Sequence, residues 1–540
     1  MKTYWVILWS LWAVRFVRQP TLPVRVTGGW LRGDIAHDGT HKKYMAVPYA
    51  SHPVKRFLAP GPEPTWRGVF EAIEENVRCP QRFRDKVMGQ EECLTLNIYT
   101  PMDASSGTNY PVMAFIHGGG FFEGSGSSAV YSPDHLIGKE IILVTINYRL
   151  NIQGFGCLRI KEAPGNAGLK DQVAALKWIQ RNIKIFGGDP NSVTLFGESA
   201  GAASVSYHIV SPMSKGLFHK AIIQSGSSMS SWAAQFKPVY MASLLTKTMG
   251  YNTEDPYEIY NILMEKSNKE LVLTRVPRLE NNIILSELLY SPCVEHEIEG
   301  VEPFLTDLPY NLLSKGQYNK VPIIIGFNSE EGLLFMGMEN ETTIPKIIFE
   351  KSLPKTLHIP EEKRKEIGDK LRQFYMGKKD KSQKKMASIS KIHGEPYFAV
   401  PLLEETEFYL ENNNKPVYSY IFNYNGWRNI LKNILVKELR EMPGATHADE
   451  LFYIFKPMFC PSFFEDKMID RVTTMWTNFA KYGDPTPEIS DLLPVKWLPA
   501  NKTAPHSFVI DAEFSTTPFW TSDSLKYLRE VFAKYRRKND

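Results

Sequence analysis

Much of what would mark other kinds of protein is missing from this sequence of 540 residues. It has no internal repeat and no low-complexity segment, which excludes solenoids and arrays. It has no zinc-finger spacing of Cys and His and no sustained basic-aromatic stripe. With a formal net charge of only +4, nucleic acid is not an expected partner. The densest basic run, "KKDKSQKK" at 378–385, reads as a solvated surface loop. Hydrophobic residues make up 43% and charged residues 23%, which argues against a disordered chain, a coiled coil and a multi-span membrane protein. Cysteine is scarce: Cys79, Cys93, Cys157, Cys293 and Cys460. Their odd number leaves at least one thiol free.

The apolar stretch at the N-terminus, Tyr4 to Val14, is too short to span a bilayer as a helix. Residues 1–23 read as a signal-peptide-like segment, with a lysine before the apolar run and a cut near Ala13. The alternative is an uncleaved membrane anchor or a cytosolic apolar arm. "FAKYRRKND" at the C-terminus carries no ER-retention tetrapeptide and no hydrophobic anchor tail. Cys79 and Cys93 bracket a polar, turn-rich loop, and bridging it would stabilise the fold by about 3 kcal/mol. Asn340 (N-E-T) and Asn501 (N-K-T) are glycosylation sequons, usable only in the secretory pathway. Secretion is the expectation.

Along the chain, "YPVMAFIH" and "EIILVTINY" are near-continuous apolar strands, the kind buried on both faces of a parallel sheet. "LKDQVAALKWIQRNIKIF" has helical spacing and stops at Gly187-Gly188. "SVTLF" (192–196), "KAIIQSGS", "KVPIIIGFN" (320–328) and "PVYSYIFNY" (416–424) add strands. A helical, charged insertion at about 340–412 reads as a cap or side domain. With this insertion, 24–535 reads as a single α/β unit around a central, mostly parallel sheet flanked by helices.

Within it, "TLFGESAGAAS" holds Ser199 between Gly197 and Gly201. An apolar strand runs in and an Ala/Ser-rich helix runs out. This is the G-x-S-x-G nucleophile elbow, where small neighbours let strand and helix approach a strained serine. Such a serine needs a base, an acid and oxyanion donors. In an α/β-hydrolase the order is serine, acid, histidine. Of His358, His393, His447 and His506, His447 alone sits on a loop after a late strand, in "MPGATHADELFYIF". "IIIGFNSEEGLLF" delivers Glu330 and Glu331 to a strand end, and local physics does not choose between them. "FIHGGGFFEG" (115–124) supplies backbone N–H donors, each worth about 3–4 kcal/mol when pre-organised. Gly119 and Gly120, with the N–H of Ala200, would form a three-donor hole. A phosphate loop is excluded because no G-K-[ST] follows.

On these stretches, together with "GQEECLTLNIYTP", "INYRL", "LFHKAIIQSGS" and "GATHADEL", the chain resembles the type B carboxylesterase/cholinesterase family from about residue 24 to 530. In detail it is most similar to insect, lepidopteran-like carboxylesterases. The resemblance implies an α/β-hydrolase fold and a triad of Ser199, Glu331 and His447, because the family's acid directly precedes the glycine. It implies oxyanion donors at Gly119, Gly120 and Ala200. Glu198 matches a glutamate that stabilises the charged histidine, and Ser225 matches a serine near the triad. Trp232 matches a position lining the acyl pocket. Cys79–Cys93 matches the family's first disulfide. Arg56 with Glu91 or Glu92, and Arg149 with Asp171, match its structural salt bridges.

The departures carry information too. The first disulfide loop is short and lacks the tryptophan on which cholinesterases stack choline. Juvenile hormone esterases typically have Gln where Glu198 stands. Glu92 and Thr95 replace the usual aspartate and tyrosine of the "EDCLYLN" box. The expectation is a serine carboxylic-ester hydrolase acting on small apolar esters (dietary, xenobiotic or volatile-signal) without metal or organic cofactor. The alternatives are a juvenile-hormone-type esterase, a protein that sequesters esters or organophosphates with little turnover, and an adhesion-like domain, against which the intact triad argues.

Overall fold

The computed structural model describes residues 18–539 apart from 279–281, 288–289, 340–342, 345–346, 378–381 and 459–464. Most of the N-terminal segment, Asn340 and Cys460 therefore lie outside the described residues.

Eleven strands form the main sheet: β1 (Asp34–Ile35), β2 (His41–Pro48), β3 (Thr95–Pro101), β4 (Tyr110–Ile116), β5 (Ile142–Ile146), β6 (Gly188–Glu198), β7 (Lys220–Gln224), β8 (Ile323–Asn328), β9 (Val417–Phe422), β10 (His506–Ile510) and β11 (Ser515–Pro518). Their order across the sheet is β11-β10-β9-β8-β7-β6-β4-β5-β3-β2-β1. From β5 to β10 every pairing is parallel. Antiparallel pairs close both margins. The apolar runs of the sequence thus form the middle of the sheet, where side chains of both faces need cover.

That cover differs by face. Val112, Ala114, Ile116, Leu195, Ile223 and Ile325 pack into one core with the helices α1 (Ala167–Asn182) and α2 (Ala200–Val210). The alternate residues Met113, Phe115, Phe196, Ile222 and Ile324 pack into a second core. There they meet Val472, Met475, Trp476 and Phe479 of a later helix, Asp466–Tyr482. The period of two along each strand produces this partition. As the glycine stop predicts, α1 passes through a tight turn (Ile183–Phe186) into Gly187 at φ 92°.

Within 340–412 the described residues form three helices, α3 (Glu361–Met376), α4 (Ser382–Gly394) and α5 (Val400–Asn412), with a π turn at Glu395–Ala399. Its buried Ile367, Leu371, Ile392, Val400 and Leu402 share the first core with the sheet, and α5 packs on β8 and β9.

Cys79 is bonded to Cys93, and the loop they close forms a hairpin of Gln81–Phe83 with Lys86–Met88. Sequence reading did not find the second disulfide, Cys157–Cys293, which joins residues 136 apart. Arg149 and Asp171 form a buried ion pair at 2.5 Å, and Arg56 takes Glu91 at 2.5 Å, so Glu91 is its partner here. Among the described residues no helix is long and apolar enough to cross a membrane.

Candidate active site

The site lies at the C-terminal ends of the central strands. β6 ends at Glu198 and α2 begins at Ala200, so Ser199 alone makes the turn, at φ 58° and ψ −123°. A non-glycine residue at positive φ is strained, and the surroundings over-determine it. The Ser199 N–H donates to the Gln224 carbonyl at 2.8 Å. A methyl on Gly201 would lie 2.0 Å from the Ile116 carbonyl oxygen, and one on Gly226 2.1 Å from the Ser199 carbonyl oxygen. Backbone packed on backbone leaves the serine one position.

The loop after β4 runs beside it. Gly119 and Gly120 have φ 103° and 60°, values that favour glycine. The Gly119 carbonyl accepts from Phe122 and Glu123 at 3.0 and 3.1 Å, which closes the turn. Ala200 is the first residue of α2, and an N–H there has no intrahelical acceptor. All three positions suit oxyanion donors.

His447 is buried, and its Nδ1 lies 2.6 Å from Glu331 Oε2. The other Glu331 oxygen accepts the Asn328 N–H at 2.7 Å. Its neighbour Glu330 stands toward Lys391 instead, at 3.9 Å. On its other side the imidazole Nε2 is 3.1 Å from Glu198 Oε1. Burial alone would lower the histidine's pKa, but Glu198 and Glu331 outweigh it and push it up to about 9. Burial, reinforced by Glu450 and Glu331, raises Glu198 to about 8. At 3.1 Å the imidazole and Glu198 therefore titrate as a coupled pair, each setting the other's affinity for a proton.

His358, His393 and His506 stand elsewhere. His393 is buried with Nε2 3.6 Å from Glu339, and His506 Nδ1 is 3.1 Å from the Ala504 carbonyl.

Gly119, Gly120, Glu198, Ser199, Trp232 and His447 all line one cavity of about 400 Å³. Its remaining wall is apolar and aromatic, including Leu334, Phe335, Met338 and Phe398. Phe335 and Phe398 pack against the His447 ring at 5.0 and 4.8 Å between centroids. Trp232 donates its indole N–H to the Tyr397 carbonyl at 3.0 Å and rests on Phe398, so its bulk is fixed. Ser225 is buried behind the serine, at φ 57°, and its hydroxyl has no partner among the described residues. Asn501 is exposed on the surface.

Sequence reading missed a set of groups behind the histidine. Glu450, fully buried, accepts from Gln224 Nε2 at 3.2 Å and Asn328 Nδ2 at 2.5 Å. Burial and the nearby Glu331 raise its carboxyl to about 7. Asn328 also donates to the Thr446 carbonyl, next to the histidine, at 2.7 Å. The available signal was the polar ending of two apolar strands: Gln224 closes "KAIIQ" and Asn328 closes "IIIGFN".

The chain matches the family described as the carboxylesterase family over residues 20–527. It is 34% identical to esterase FE4 of Myzus persicae over 506 residues, 89% of this chain and 87% of that protein. It is 33% identical to a juvenile hormone esterase of Tribolium castaneum over 497 residues, 85% and 83% of the two chains. It is also similar to the crystal structure of juvenile hormone esterase from Manduca sexta with OTFP covalently attached. That likeness has a TM-score of 0.81 at 28% identity and covers 96% of this chain and 99% of that one. The chain belongs to the carboxylesterase family, has its α/β-hydrolase fold, and is a carboxylic-ester hydrolase.

Proposed function

We propose that Ser199, His447 and Glu331 form the catalytic triad and act on apolar esters. The observation that carries this reading is an imidazole held through Nδ1 by Glu331 at 2.6 Å, on the wall of the same cavity as a strained serine. His447 takes the Ser199 proton as the oxygen attacks the ester carbonyl. The N–H groups of Gly119, Gly120 and Ala200 hold the oxyanion. His447 then protonates the leaving alcohol. Water, activated by the same imidazole, cleaves the acyl-enzyme and returns the proton to Ser199. Glu198 lowers the energy of the imidazolium formed in both halves, and Trp232 bounds the acyl side.

The apolar wall supports esters with hydrocarbon acyl or alcohol groups. A juvenile-hormone-type substrate is the second reading. The likeness to two juvenile hormone esterases supports it, and Glu198, at a position where the family resemblance implies glutamine in juvenile hormone esterases, weighs against it. We also propose that the protein is secreted, which the two disulfides support, since such bonds persist in oxidising compartments.

The test is hydrolysis of p-nitrophenyl esters from acetate to long chains by wild type and Ser199→Ala. Sustained turnover, lost in the mutant, is expected. A single stoichiometric burst would mean that the protein traps esters. An organophosphate should remain on Ser199 as a mass adduct, and inhibition without an adduct would count against the assignment.

A further inference from the structure

A second cavity, of about 510 Å³, adjoins the first and shares Gly120, Phe122 and Glu123 with it. Its character is opposite. Arg82, Arg84 and Arg275 line it against two carboxylates, Asp85 and Glu123. Arg82 takes Asp85 at 3.0 Å. Arg84 rests on the Phe83 ring, 5.7 Å from its centroid. Among the described residues neither Arg84 nor Arg275 is ion-paired. That leaves two exposed guanidiniums facing one free carboxylate, Glu123, at the border of the two cavities.

The walls are built. Arg82 and Arg84 belong to the hairpin inside the Cys79–Cys93 loop, and Arg82 ties it by donating to the Arg84 carbonyl as well as to Asp85. The helix Asn268–Leu273, which leads to Arg275, packs on the same hairpin. This is the loop that lacks the cation-stacking tryptophan, and it presents positive charge instead.

We propose that this vestibule is an anion subsite, so that the enzyme acts best on esters carrying a second, ionised carboxylate. The apolar cavity holds the scissile group, and Arg84 with Arg275 hold the distal carboxylate. Guanidinium suits that group because its planar donors match two carboxylate oxygens. The inference rests on Ser199 as nucleophile, since it places the vestibule beside the reacting bond.

The test compares matched pairs: 4-nitrophenyl hydrogen adipate with 4-nitrophenyl methyl adipate, and 4-acetoxybenzoate with its methyl ester. The first pair places the charge on the acyl side and the second on the alcohol side. The readout is the ratio of kcat/KM for the anionic to the neutral member. We expect a ratio above one in at least one pair. In R84Q/R275Q it should fall about fivefold to tenfold, a drop that R84K/R275K largely restores and that 0.5 M salt, added at about that level, reproduces in wild type. A ratio at or below one in both pairs, or one insensitive to these variants and to salt, overturns the vestibule while neutral turnover leaves the esterase reading standing. Turnover of neither member in any pair would overturn both.

Discussion

The two halves of the site are held in different ways. Ser199 is placed by backbone: Gly197, Gly201 and Gly226 press against main-chain atoms of Ile116, His117 and Ser199 itself, all in elements close together in the sheet. His447 is placed by side chains. Glu331 reaches it across 116 residues, and Glu198, Glu450, Asn328 and Gln224 surround it with buried, partly charged groups. The serine half is rigid because it has no room. The histidine half is tuned because buried carboxylates set its protonation. Substitutions should therefore cost fold on one side and proton chemistry on the other.

The most severe test is Ser199→Ala, which removes the hydroxyl of the proposed nucleophile without adding an atom. It should lower kcat for p-nitrophenyl esters by at least about 10⁴-fold, with the thermal midpoint nearly unchanged. Glu331→Gln should leave the fold intact and cost about 10³- to 10⁴-fold in kcat, because an amide no longer stabilises the imidazolium. On the serine side, Gly201→Ala forces a methyl to 2.0 Å from the Ile116 oxygen. Denaturant unfolding should show a loss of about 3 kcal/mol or more, which an unchanged midpoint would contradict.

Glu198→Gln should have a smaller, directional effect. A negative neighbour raises the His447 pKa, so removing it lowers the pKa, and the neutral base form persists to lower pH. The acidic limb of the kcat/KM–pH profile should move down by about one unit. A limb that stays in place would mean that Glu198 is already protonated in the working enzyme. The mildest test concerns the cavity wall. Arg278 binds Glu339 through both oxygens at 3.0 and 2.9 Å, and Glu339 also accepts the Ile284 N–H at 2.9 Å. This clamp holds Ile284 and Leu285 against the cavity. Arg278→Met should raise KM for long-chain esters about threefold to tenfold, with little change in kcat for acetate.

The same division explains what the sequence could say. The elbow, the triple-glycine loop and the histidine's loop are local, so their residues stand beside the elements that position them. Glu331 and Glu330 look alike locally. The family resemblance picks Glu331, but no local physics does; the fold gives the reason, turning Glu331 toward His447 and Glu330 toward Lys391. The same holds for Cys157 and Cys293, 136 residues apart with no shared loop to announce them, and for Glu450, whose burial is set by strands from other parts of the chain. The insertion was legible as helices. That its last helix would lie on β8 and β9 depended on the sheet's order, which no local spacing encodes.

The crowding around Ser199 also bears on how such an enzyme can diverge. No methyl fits at Gly197, Gly201 or Gly226 without a collision against main chain, so random change at the chemistry is removed as misfolded protein. The cavity walls are different. Met338 and Ile434 border the substrate space with 53% and 71% of their surface exposed, and a new side chain there displaces only water. Drift is thereby channelled away from the reaction and toward the list of esters admitted, so the esters accepted can change while the bond-breaking step stays the same.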